Sequence, residues 1–459
     1  MTPPAPDAPA GDKTLRCIRC GFCLDSCPTF RLTGNEADSP RGRIYLMRSV
    51  QEDVLPLDAA VSGHLDSCLG CRACETACPS GVEYSAILER FRARIEGGDA
   101  RPPLQRFARR QLLATLTSPR RLAAMLRAAS LLGSRDLRHM PSWAAELLTG
   151  RPGAQVRLPA IPDRVEVGSL PERSPALGEH RFTVGILAGC VMRVLYHGTN
   201  GATLRVLQRN GCEVIAPRAA GCCGALHLHA GFLEDARNRA RALLDAVDPL
   251  PLDAFVVNSA GCGSALKEYG ELLEDDPEYG ERARRFAAKV RDISEFLAAI
   301  GLAPPPHAFP HTVAYHDACH LAHGQRVTAA PRQLLQSVRG LRLVEIAESD
   351  TCCGSAGIYN LTQPEMAARL QARKVEHILQ AGADVVATGN PGCLAWIEQG
   401  LRERGSAIRI VHPVEILDAA YGAEDSGSRS WSPGTRPKLA LEQAAGRCAA
   451  GGEDSGHEA

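Results

Sequence analysis

The spacing of apolar residues divides the chain into a helical part followed by a layered part. Between residues 101 and 140, apolar side chains recur at helical intervals, as at Leu112, Leu113 and Leu116. Over about residues 181–418, short apolar runs typical of strands alternate with amphipathic runs typical of helices. That alternation predicts an α/β domain in which helices cover a sheet. No run reaches the roughly 18 consecutive apolar residues of a membrane span, so we expect no helix that crosses a membrane.

Changes in composition along the chain set the expected domain boundaries. Prolines become frequent between Pro152 and Pro175, which is typical of a linker, and the sequence after Tyr421 has no periodicity. The predicted segments, in chain order, are a flexible tail (1–13), a cysteine-dense domain (14–95), a basic helical segment with a proline-rich linker (96–180), two α/β units (181–300 and 301–421) and a disordered tail (422–459).

The 18 cysteines among 459 residues indicate metal binding. The start of the chain, Met1 to Ala10, lacks the basic residues and apolar core of a secretory signal, so we expect a cytoplasmic protein. Disulfides are rare in a reducing compartment, and metal ligation explains many cysteines better there. Lys and Arg number 52 together, as do Asp and Glu, and this balance gives no reason to expect nucleic-acid binding.

Eight cysteines form two copies of the C-x2-C-x2-C-x3-C-P run that bacterial ferredoxins use for 4Fe–4S clusters. The copies are Cys17, Cys20, Cys23, Cys27 with Pro28, and Cys68, Cys71, Cys74, Cys78 with Pro79. In such runs three thiolates bind one cluster, and the fourth binds the cluster of the other run. The predicted ligand sets are Cys17, Cys20, Cys23, Cys78 and Cys68, Cys71, Cys74, Cys27. A tetrahedral zinc site does not need this exchange and is the weaker alternative.

Eight further cysteines belong to an internal repeat. The two units are Cys190, Cys222, Cys223, Cys262 and Cys319, Cys352, Cys353, Cys393, with matching cysteines 129 to 131 positions apart. The adjacent pair in each unit precedes a glycine, Gly224 or Gly354, which permits backbone angles that a Cβ forbids. Cysteines just past strand ends lie where open α/β sheets bind ligands, and the two units can pair about a pseudo-twofold axis. Each quartet, or only one of them, holds a metal ion or cluster; structural thiols in a duplicated fold are the alternative.

The two patterns together resemble one known family. A twin 4Fe–4S ferredoxin-type module followed by two cysteine-rich CCG domains is similar to the iron–sulfur subunit of glycolate oxidase, also called glycolate dehydrogenase. The resemblance covers about residues 14–420 and includes, besides the cysteine runs, the segments Pro40–Leu46 and Lys267–Gly270. Relatives in lactate utilisation, anaerobic glycerol-3-phosphate oxidation and heterodisulfide reduction share the architecture, but these two segments favour the glycolate member.

The resemblance implies an oxidoreductase subunit that carries electrons and leaves substrate oxidation to partner subunits. It implies FAD-bearing flavoprotein partners that oxidise glycolate or D-lactate to a 2-oxo acid, with electrons passing towards a membrane quinone. The sequence has no strand–G-x-G-x-x-G–helix unit, no phosphate-binding P-loop and no recognisable flavin-binding domain. We therefore expect no catalytic residue in this chain. The expected fold is α+β and α/β, a helical twin-cluster ferredoxin module before a duplicated α/β domain, in the cytoplasm or peripherally on the inner membrane face.

The repeats depart from the full cysteine-rich pattern, which ends in C-x2-C. Ala265 stands three residues after Cys262 and Trp396 three residues after Cys393, so each repeat has four cysteines rather than five. This argues against the double-cubane-like cluster of heterodisulfide reductase relatives, and against thiol chemistry at these sites. Four thiolates still suffice for one ordinary cluster or one zinc ion.

Several histidines close to the cysteines have open interpretations. Three flank Cys319 and two follow the first CCG: His316, His320, His323, His227 and His229. A histidine at such a place ligates a metal, protonates a reduced quinone or donates a hydrogen bond to sulfur. Sequence spacing does not decide among these roles.

The roles of two groups of arginines are also undecided by the sequence. Nine arginines and one acid, Asp136, lie between residues 101 and 140. Because they alternate with leucines, they predict a basic amphipathic helix that lies on an anionic membrane, docks an acidic partner or is only solvated. Arg41 and Arg43, between the two cysteine runs, offset cluster charge, face a partner or lie in solvent. Cys212 and Cys448 fit neither cysteine pattern.

Overall fold

The computed structural model describes residues 13–98, 100–131, 139–158 and 164–422. Most of both predicted tails, together with Asp136 and Cys448, lies outside these residues. Lys13 begins a short 3-10 turn and pairs with Glu83 at 2.6 Å, so it belongs to the folded part of the chain. Among the described residues, none of the helices is both long and apolar enough to cross a bilayer.

The first domain is helical and holds both ferredoxin-type cysteine runs. Its helices are α1 (Pro28–Thr33), α2 (Pro40–Gln51), α3 (Ala59–Asp66), α4 (Ala73–Thr76) and α5 (Tyr84–Gly97). Side chains fix where two helices begin, since Ser39 accepts a hydrogen bond from the Gly42 amide and Asp58 accepts one from the Val61 amide. The apolar helix faces meet in one core, which includes Met47, Leu65, Leu88, Phe91 and Ile95.

Three helices connect this domain to the sheets: α6 (Pro103–Leu116), α7 (Pro119–Leu131) and α8 (Ser142–Thr149). Leu113 on α6 packs against Ala230 of the first α/β unit and Ile358 of the second. The predicted linker segment is thus, in its described residues, packed against both units.

The first α/β unit is built on a five-stranded sheet. Its strands are β1 (Arg173–Ser174), β2 (Phe182–Ile186), β3 (Cys212–Ile215), β4 (Ala254–Val257) and β5 (Val290–Asp292). Its helices are α9 (Met192–Leu195), α10 (His197–Arg209), α11 (Ala225–His229), α12 (Leu233–Val247), α13 (Ala260–Lys267), α14 (Tyr269–Leu272), α15 (Gly280–Lys289) and α16 (Ile293–Ile300). The strand order is β1-β3-β2-β4-β5, and all neighbours are parallel except β1 with β3.

The second α/β unit repeats the topology of the first. Its strands are β6 (Thr312–Tyr315), β7 (Arg342–Glu345), β8 (Val385–Ala387) and β9 (Arg409–Val411). Its helices are α17 (Ala329–Gln336), α18 (Tyr359–Thr362), α19 (Pro364–Gln380), α20 (Pro391–Glu403) and α21 (Pro413–Ala420), with a π-helical turn at His320–Gly324. The all-parallel order β7-β6-β8-β9 matches β3-β2-β4-β5. The predicted fold class is confirmed.

The two units pack against each other through equivalent helices. Helix α10 of the first unit contacts α21 of the second, and α17 of the second contacts α16 of the first, as a pseudo-twofold relation requires. Arg205 on α10 pairs with Asp418 on α21 at 2.5 Å. Near the strand ends, the Ala260 amide donates a hydrogen bond to the Gly389 carbonyl at 3.0 Å. The loops that carry the two cysteine quartets therefore adjoin.

Candidate metal centres

The first group of ferredoxin-type cysteines lines a cavity that is open to solvent. Cys17, Cys20 and Cys23 come from the first run and Cys78 from the second, and Cys74 also touches the cavity. The structure thus brings together the four residues predicted for one cluster. Cys20 is exposed and the other three predicted ligands are half-buried, so this group lies at the surface.

The second group lines a neighbouring cavity. Its lining includes Cys68, Cys71 and Cys74 from the second run and Cys27 from the first, which is the other predicted set. Burial raises the pKa of the Cys71 and Cys74 thiols well above the ordinary thiol value. A metal centre bound there would displace the thiol protons and take the thiolates as ligands, so the four-cysteine donor set fits an iron–sulfur cluster.

Backbone amides donate hydrogen bonds to one cysteine of each predicted ligand set, Cys78 and Cys68, which both belong to the second run. Gly21 and Gly70 have positive φ angles of 92° and 64°, which residues with a Cβ rarely adopt. The Gly70 amide donates a hydrogen bond to Cys68 Sγ at 3.4 Å, and the Val82 amide donates one to Cys78 Sγ at 3.5 Å. Such bonds stabilise the thiolate ligands and help to set a cluster's potential.

Arg43 places a positive charge beside the buried group. Its guanidinium is fully buried, and Nη1 lies 4.0 Å from Cys27 Sγ. Burial lowers the pKa of Arg43, but nearby negative groups, Cys68 first, raise it overall, so the side chain stays charged. Arg41 pairs instead with Glu36 at 2.7 Å. Among the interpretations left open by the sequence, charge compensation therefore fits Arg43.

Each α/β repeat gathers its four cysteines into a chain of contacting thiols. The order is Cys190, Cys222, Cys223, Cys262 in the first repeat and Cys319, Cys352, Cys353, Cys393 in the second. Hydrogen bonds between neighbouring thiols make the pKa values alternate along each chain. The pKa is lowered for Cys222, Cys262, Cys319 and Cys353 and raised for Cys190, Cys223, Cys352 and Cys393. Four thiols in mutual contact form a compact sulfur donor set in each repeat, as a bound metal requires.

The glycine after each adjacent cysteine pair lets the chain turn at the site. The φ angle is 82° at Gly224 and 91° at Gly354. A Cβ added to Gly354 would lie 2.7 Å from the Ala367 carbonyl oxygen, and one added to Gly224 would lie 3.1 Å from that of Ala236. Both turns therefore require glycine, and the turn in the second repeat is the tighter one.

Two of the histidines near Cys319 lie against sulfur. His316 is fully buried, and one of its ring nitrogens lies within 4.8 Å of the sulfurs of Cys353 and Cys393, which are equally close to each other. His320 Nδ1 lies 3.5 Å from Cys319 Sγ. These two histidines are the ones placed to act on the second quartet.

His229 and His323 face the ferredoxin-type domain instead. The His229 ring centroid lies 4.9 Å from that of His320, and His229 Nδ1 lies 2.7 Å from a carboxylate oxygen of Glu89. His323 Nδ1 lies 3.0 Å from Thr76 Oγ1. These side chains join the second and first repeats to the ferredoxin-type domain.

The second ferredoxin-type group adjoins the cysteines of the second repeat. Cys71 belongs to the same buried cluster as Cys319 and Cys353. Across this boundary, Tyr359 donates a hydrogen bond to the Ser67 carbonyl at 2.8 Å. Sequence patterns do not reveal the contact, because these two residues are 292 positions apart and neither belongs to a cysteine motif.

Arg72, inside the second cysteine run, ties the same boundary to the first repeat. Its guanidinium pairs with Glu268 and donates a hydrogen bond to Ser264 Oγ at 3.2 Å. Burial raises the pKa of Glu268 to about 7, although Arg72 opposes the shift. Glu268 belongs to Lys267–Gly270, one of the two segments that favoured the glycolate resemblance, and the structure gives that segment an interface role.

Part of the predicted basic helix is neutralised within the fold. Arg101 and Arg109 are buried against Glu96, with closest N–O distances of 2.9 Å and 3.1 Å. Arg110 pairs with Asp235 of the first repeat at 3.1 Å. The count of nine arginines therefore overstates the charge that this segment presents to solvent.

Known domain families match most of the chain. Residues 13–82 match the 4Fe-4S dicluster domain, and residues 184–267 and 313–398 match the cysteine-rich domain. The crystal structure of a hypothetical protein from Helicobacter pylori has a related fold, with a TM-score of 0.53 and 10% identity over 85% of this chain and 69% of that one. The fold and the gathered cysteines define an iron–sulfur subunit of an oxidoreductase, and its cofactors are iron–sulfur clusters.

Two curated relatives align with nearly the whole chain. The probable glycolate oxidase iron-sulfur subunit of Bacillus subtilis (strain 168) is 36% identical over 90% of this chain and 95% of its own. The glycolate oxidase iron-sulfur subunit of Escherichia coli (strain K12) is 34% identical over 90% and 96%. Lactate utilization protein A of Shouchella clausii (strain KSM-K16) is 32% identical over 52% of this chain and 99% of its own. The chain belongs to the family of glycolate oxidase iron–sulfur subunits, which confirms the predicted resemblance.

Proposed function

We propose that this chain relays electrons from an FAD-bearing flavoprotein partner towards a membrane quinone in a complex that oxidises glycolate. The gathering of eight ferredoxin-type cysteines into two neighbouring groups carries the proposal. Two 4Fe–4S clusters bound there supply one-electron transfer. The ligand sets are Cys17, Cys20, Cys23, Cys78 and Cys68, Cys71, Cys74, Cys27. Each quartet of the α/β repeats holds one further centre, a cluster or a zinc ion.

The surface around the first group suits docking of the flavoprotein partner. Leu15, Ile18, Phe22 and Tyr45 are large apolar side chains that are mostly exposed, and Arg19 lies over the Tyr45 ring at 5.0 Å. Exposed apolar and aromatic side chains grouped in this way favour protein interfaces. A partner seated there meets the exposed cysteine group, while the buried group lies on the inner side, against the second repeat.

Replacement of Phe22 tests this docking surface. Phe22→Ser should weaken co-purification with the flavoprotein subunits and slow substrate-linked reduction, while both clusters still form. Trp143→Ser on α8 is the matched control, because Trp143 is 70% exposed and Phe22 is 69% exposed. Equal losses from the two variants, or no loss from Phe22→Ser, contradict the assigned surface.

Iron and sulfide analysis with EPR spectroscopy tests the relay itself. We expect about eight iron atoms in the ferredoxin-type domain and the signal of two interacting reduced clusters. Because the fourth cysteines are exchanged, Cys27→Ser should alter the cluster of the second run, and Cys78→Ser that of the first. An iron content near zero contradicts the proposed electron-transfer role. If Cys27→Ser alters only the cluster of the first run, and Cys78→Ser only that of the second, the fourth cysteines are not exchanged between the clusters.

Substrate-dependent dye reduction tests the complex. The chain together with its flavoprotein subunits should reduce a dye with glycolate, and with D-lactate if the site accepts a methyl group. The chain without those subunits should show no activity, because it supplies no catalytic residue. Activity from the isolated chain contradicts the assignment of substrate oxidation to the partner.

Lactate utilisation is the second candidate function. It is favoured by the match to lactate utilization protein A of Shouchella clausii over 99% of that protein. The match covers 52% of this chain, however, whereas the glycolate oxidase subunits cover 90%. Dye reduction with lactate but not with glycolate would make lactate utilisation the better-supported function.

We also propose that α6 and α7 hold the complex on the inner membrane surface. Leu104, Phe107 and Met125 are exposed apolar side chains on these helices, and Arg120 and Arg121 are exposed between them. Apolar side chains beside arginines suit the interface of an anionic bilayer. High salt should release the complex from membranes, and a complex that stays soluble at low salt counts against this location.

A further inference from the structure

His316 is a buried imidazole that faces sulfur. It directly follows strand β6 and has no solvent exposure. Within the described part of the chain, neither of its ring nitrogens has a hydrogen-bond partner of ordinary geometry, and the thiol of Cys353 is the polar group that the ring approaches. Because an unsatisfied buried donor or acceptor is costly, a histidine in this position calls for a ligand.

The surroundings of the ring supply the other donors of a metal site. One ring nitrogen and the sulfurs of Cys353 and Cys393 all lie within 4.8 Å of one another. Ligands about 2.3 Å from a tetrahedral metal lie about 3.8 Å apart, so this spacing suits one ion. In residues 13–98, 100–131, 139–158 and 164–422, no other histidine, cysteine or carboxylate donors form so tight a group of three.

The first repeat shows that packing alone does not require this histidine. Leu187 follows β2 as His316 follows β6. Leu187 is also buried, and it packs in the apolar cluster that contains Cys223. The same fold therefore accepts a leucine at this position, and the histidine is specific to the second repeat.

The pairing of strands explains how the three donors meet. Tyr315 at the end of β6 is paired with Ala387 at the end of β8, and the His316 amide donates a hydrogen bond to the Ala387 carbonyl at 2.9 Å. The loop after β8 then leads into α20, whose first turn carries Cys393. The carboxyl ends of two neighbouring parallel strands thus bring imidazole and thiol together.

We propose that His316, Cys353 and Cys393 bind a single divalent metal ion of the zinc class in the second repeat. One imidazole nitrogen and two thiolates form a Cys2His donor set, which zinc accepts. Cys352, whose thiol contacts that of Cys353, is a candidate for a fourth ligand. The first repeat lacks this histidine and differs in its centre. The inference rests on the proposed metal centre of the second repeat, not on the relay through the ferredoxin-type clusters.

Metal analysis of the full chain, purified without oxygen, tests the site. We expect at least one zinc per chain beside the iron of the two ferredoxin-type clusters. His316→Leu, which installs the residue found in the first repeat, should lose one zinc per chain and keep the iron. His316→Cys should keep the zinc, because a thiolate replaces the imidazole. His412→Asn removes another buried histidine of the second repeat, the one that caps α21, and is the matched control, which should keep both metals.

X-ray absorption at the zinc edge gives a second readout that needs no variant. The native chain should show one nitrogen of an imidazole among sulfur ligands. A zinc shell of sulfur alone, zinc retained in full by His316→Leu, or iron and sulfide in place of zinc in the second repeat overturns the inference. Failure of the relay is distinct, since it removes the EPR signals of the two clusters and leaves the zinc count unchanged.

Discussion

The two α/β repeats share a strand order and a cysteine quartet, yet the quartets have different neighbours. In the first repeat, Cys223 lies in an apolar cluster of that repeat, and Tyr269 donates a hydrogen bond to its carbonyl at 2.8 Å. In the second, Cys353 shares a buried cluster with Cys71 of the ferredoxin-type domain and lies beside His316. The duplicated scaffold provides sulfur ligands twice, and its contacts with other domains distinguish what the two copies do.

The largest expected difference concerns electron delivery. In the assembled complex, Cys353→Ser should slow the substrate-to-quinone rate at least about tenfold, which is about 1.4 kcal/mol in activation free energy. A bound zinc ion carries no electrons, but its loss should loosen the boundary against which the buried ferredoxin-type group packs. Cys223→Ser is the equivalent change in the first repeat and should slow the rate less. Steady-state quinone reduction measures both.

Dye reduction controls for damage upstream of the quartets. A dye that accepts electrons directly from the flavoprotein should react at the native rate with either variant. Equal quinone rates for Cys353→Ser and Cys223→Ser would mean that the packing of the second quartet against the ferredoxin-type domain does not support electron transfer through the buried cluster.

Local spacing explains which parts of these sites the sequence could predict. The ferredoxin-type ligands lie three or four positions apart on short loops, so the motif alone identifies them. The repeat topology also follows from the sequence, because strands and cysteines recur together. The role of His316 could not be separated from that of His320, since it depends on β6 and β8 being neighbours. The contact of Tyr359 with Ser67 depends on domain packing, which no local pattern encodes.

The glycine turns should differ in their tolerance of a methyl group. Gly354→Ala should lower stability by roughly 2–4 kcal/mol, because about 1–2 kcal/mol of left-handed strain adds to overpacking. The added Cβ would lie 2.7 Å from the Ala367 carbonyl oxygen. Gly224→Ala should cost less, since its nearest carbonyl, that of Ala236, is 3.1 Å away. Thermal melts at one scan rate compare them, and a larger loss at Gly224 contradicts the geometry.

Two tyrosine hydroxyls distinguish the stability of the boundary with the ferredoxin-type domain from that of the first repeat's core. Tyr359→Phe and Tyr269→Phe each remove one hydrogen bond of 2.8 Å to a carbonyl, and each should cost about 1–3 kcal/mol. Because Tyr359 bonds to Ser67, its variant should also speed amide hydrogen exchange around residues 65–71. Tyr269→Phe should leave that exchange unchanged. Faster exchange in both variants would show that the interface and the first-repeat core open together.

The helix after the last strand of each repeat begins at a different titratable residue. Asp292 caps α16 and His412 caps α21, each within a capping box. Burial raises the pKa of Asp292 to about 6 and lowers the pKa of His412 to about 3. The equivalent helix starts of the two repeats should therefore make stability depend on pH with opposite signs.

The sign follows from which state binds the proton. Between about pH 3 and 6.5 the unfolded chain holds a proton on His412 and the folded chain does not. The stability of the folded state therefore decreases as the pH is lowered, by up to about 1.4 kcal/mol per pH unit. Between about pH 3.8 and 6 the folded chain holds a proton on Asp292 and the unfolded chain does not, so this contribution rises as the pH falls.

Two asparagine variants isolate these contributions, and asparagine keeps a capping acceptor at each helix start. As the pH is lowered from 7 to 5.5, His412→Asn should gain about 1 kcal/mol of stability relative to the native chain. Asp292→Asn should lose stability relative to the native chain over the same range, by a smaller amount because its folded pKa lies near 6. Urea denaturation at pH 7, 6.5, 6 and 5.5 gives the difference profiles. Profiles of the same sign would show that the two helix starts are not buried alike, and that the pseudo-twofold relation does not extend to their surroundings.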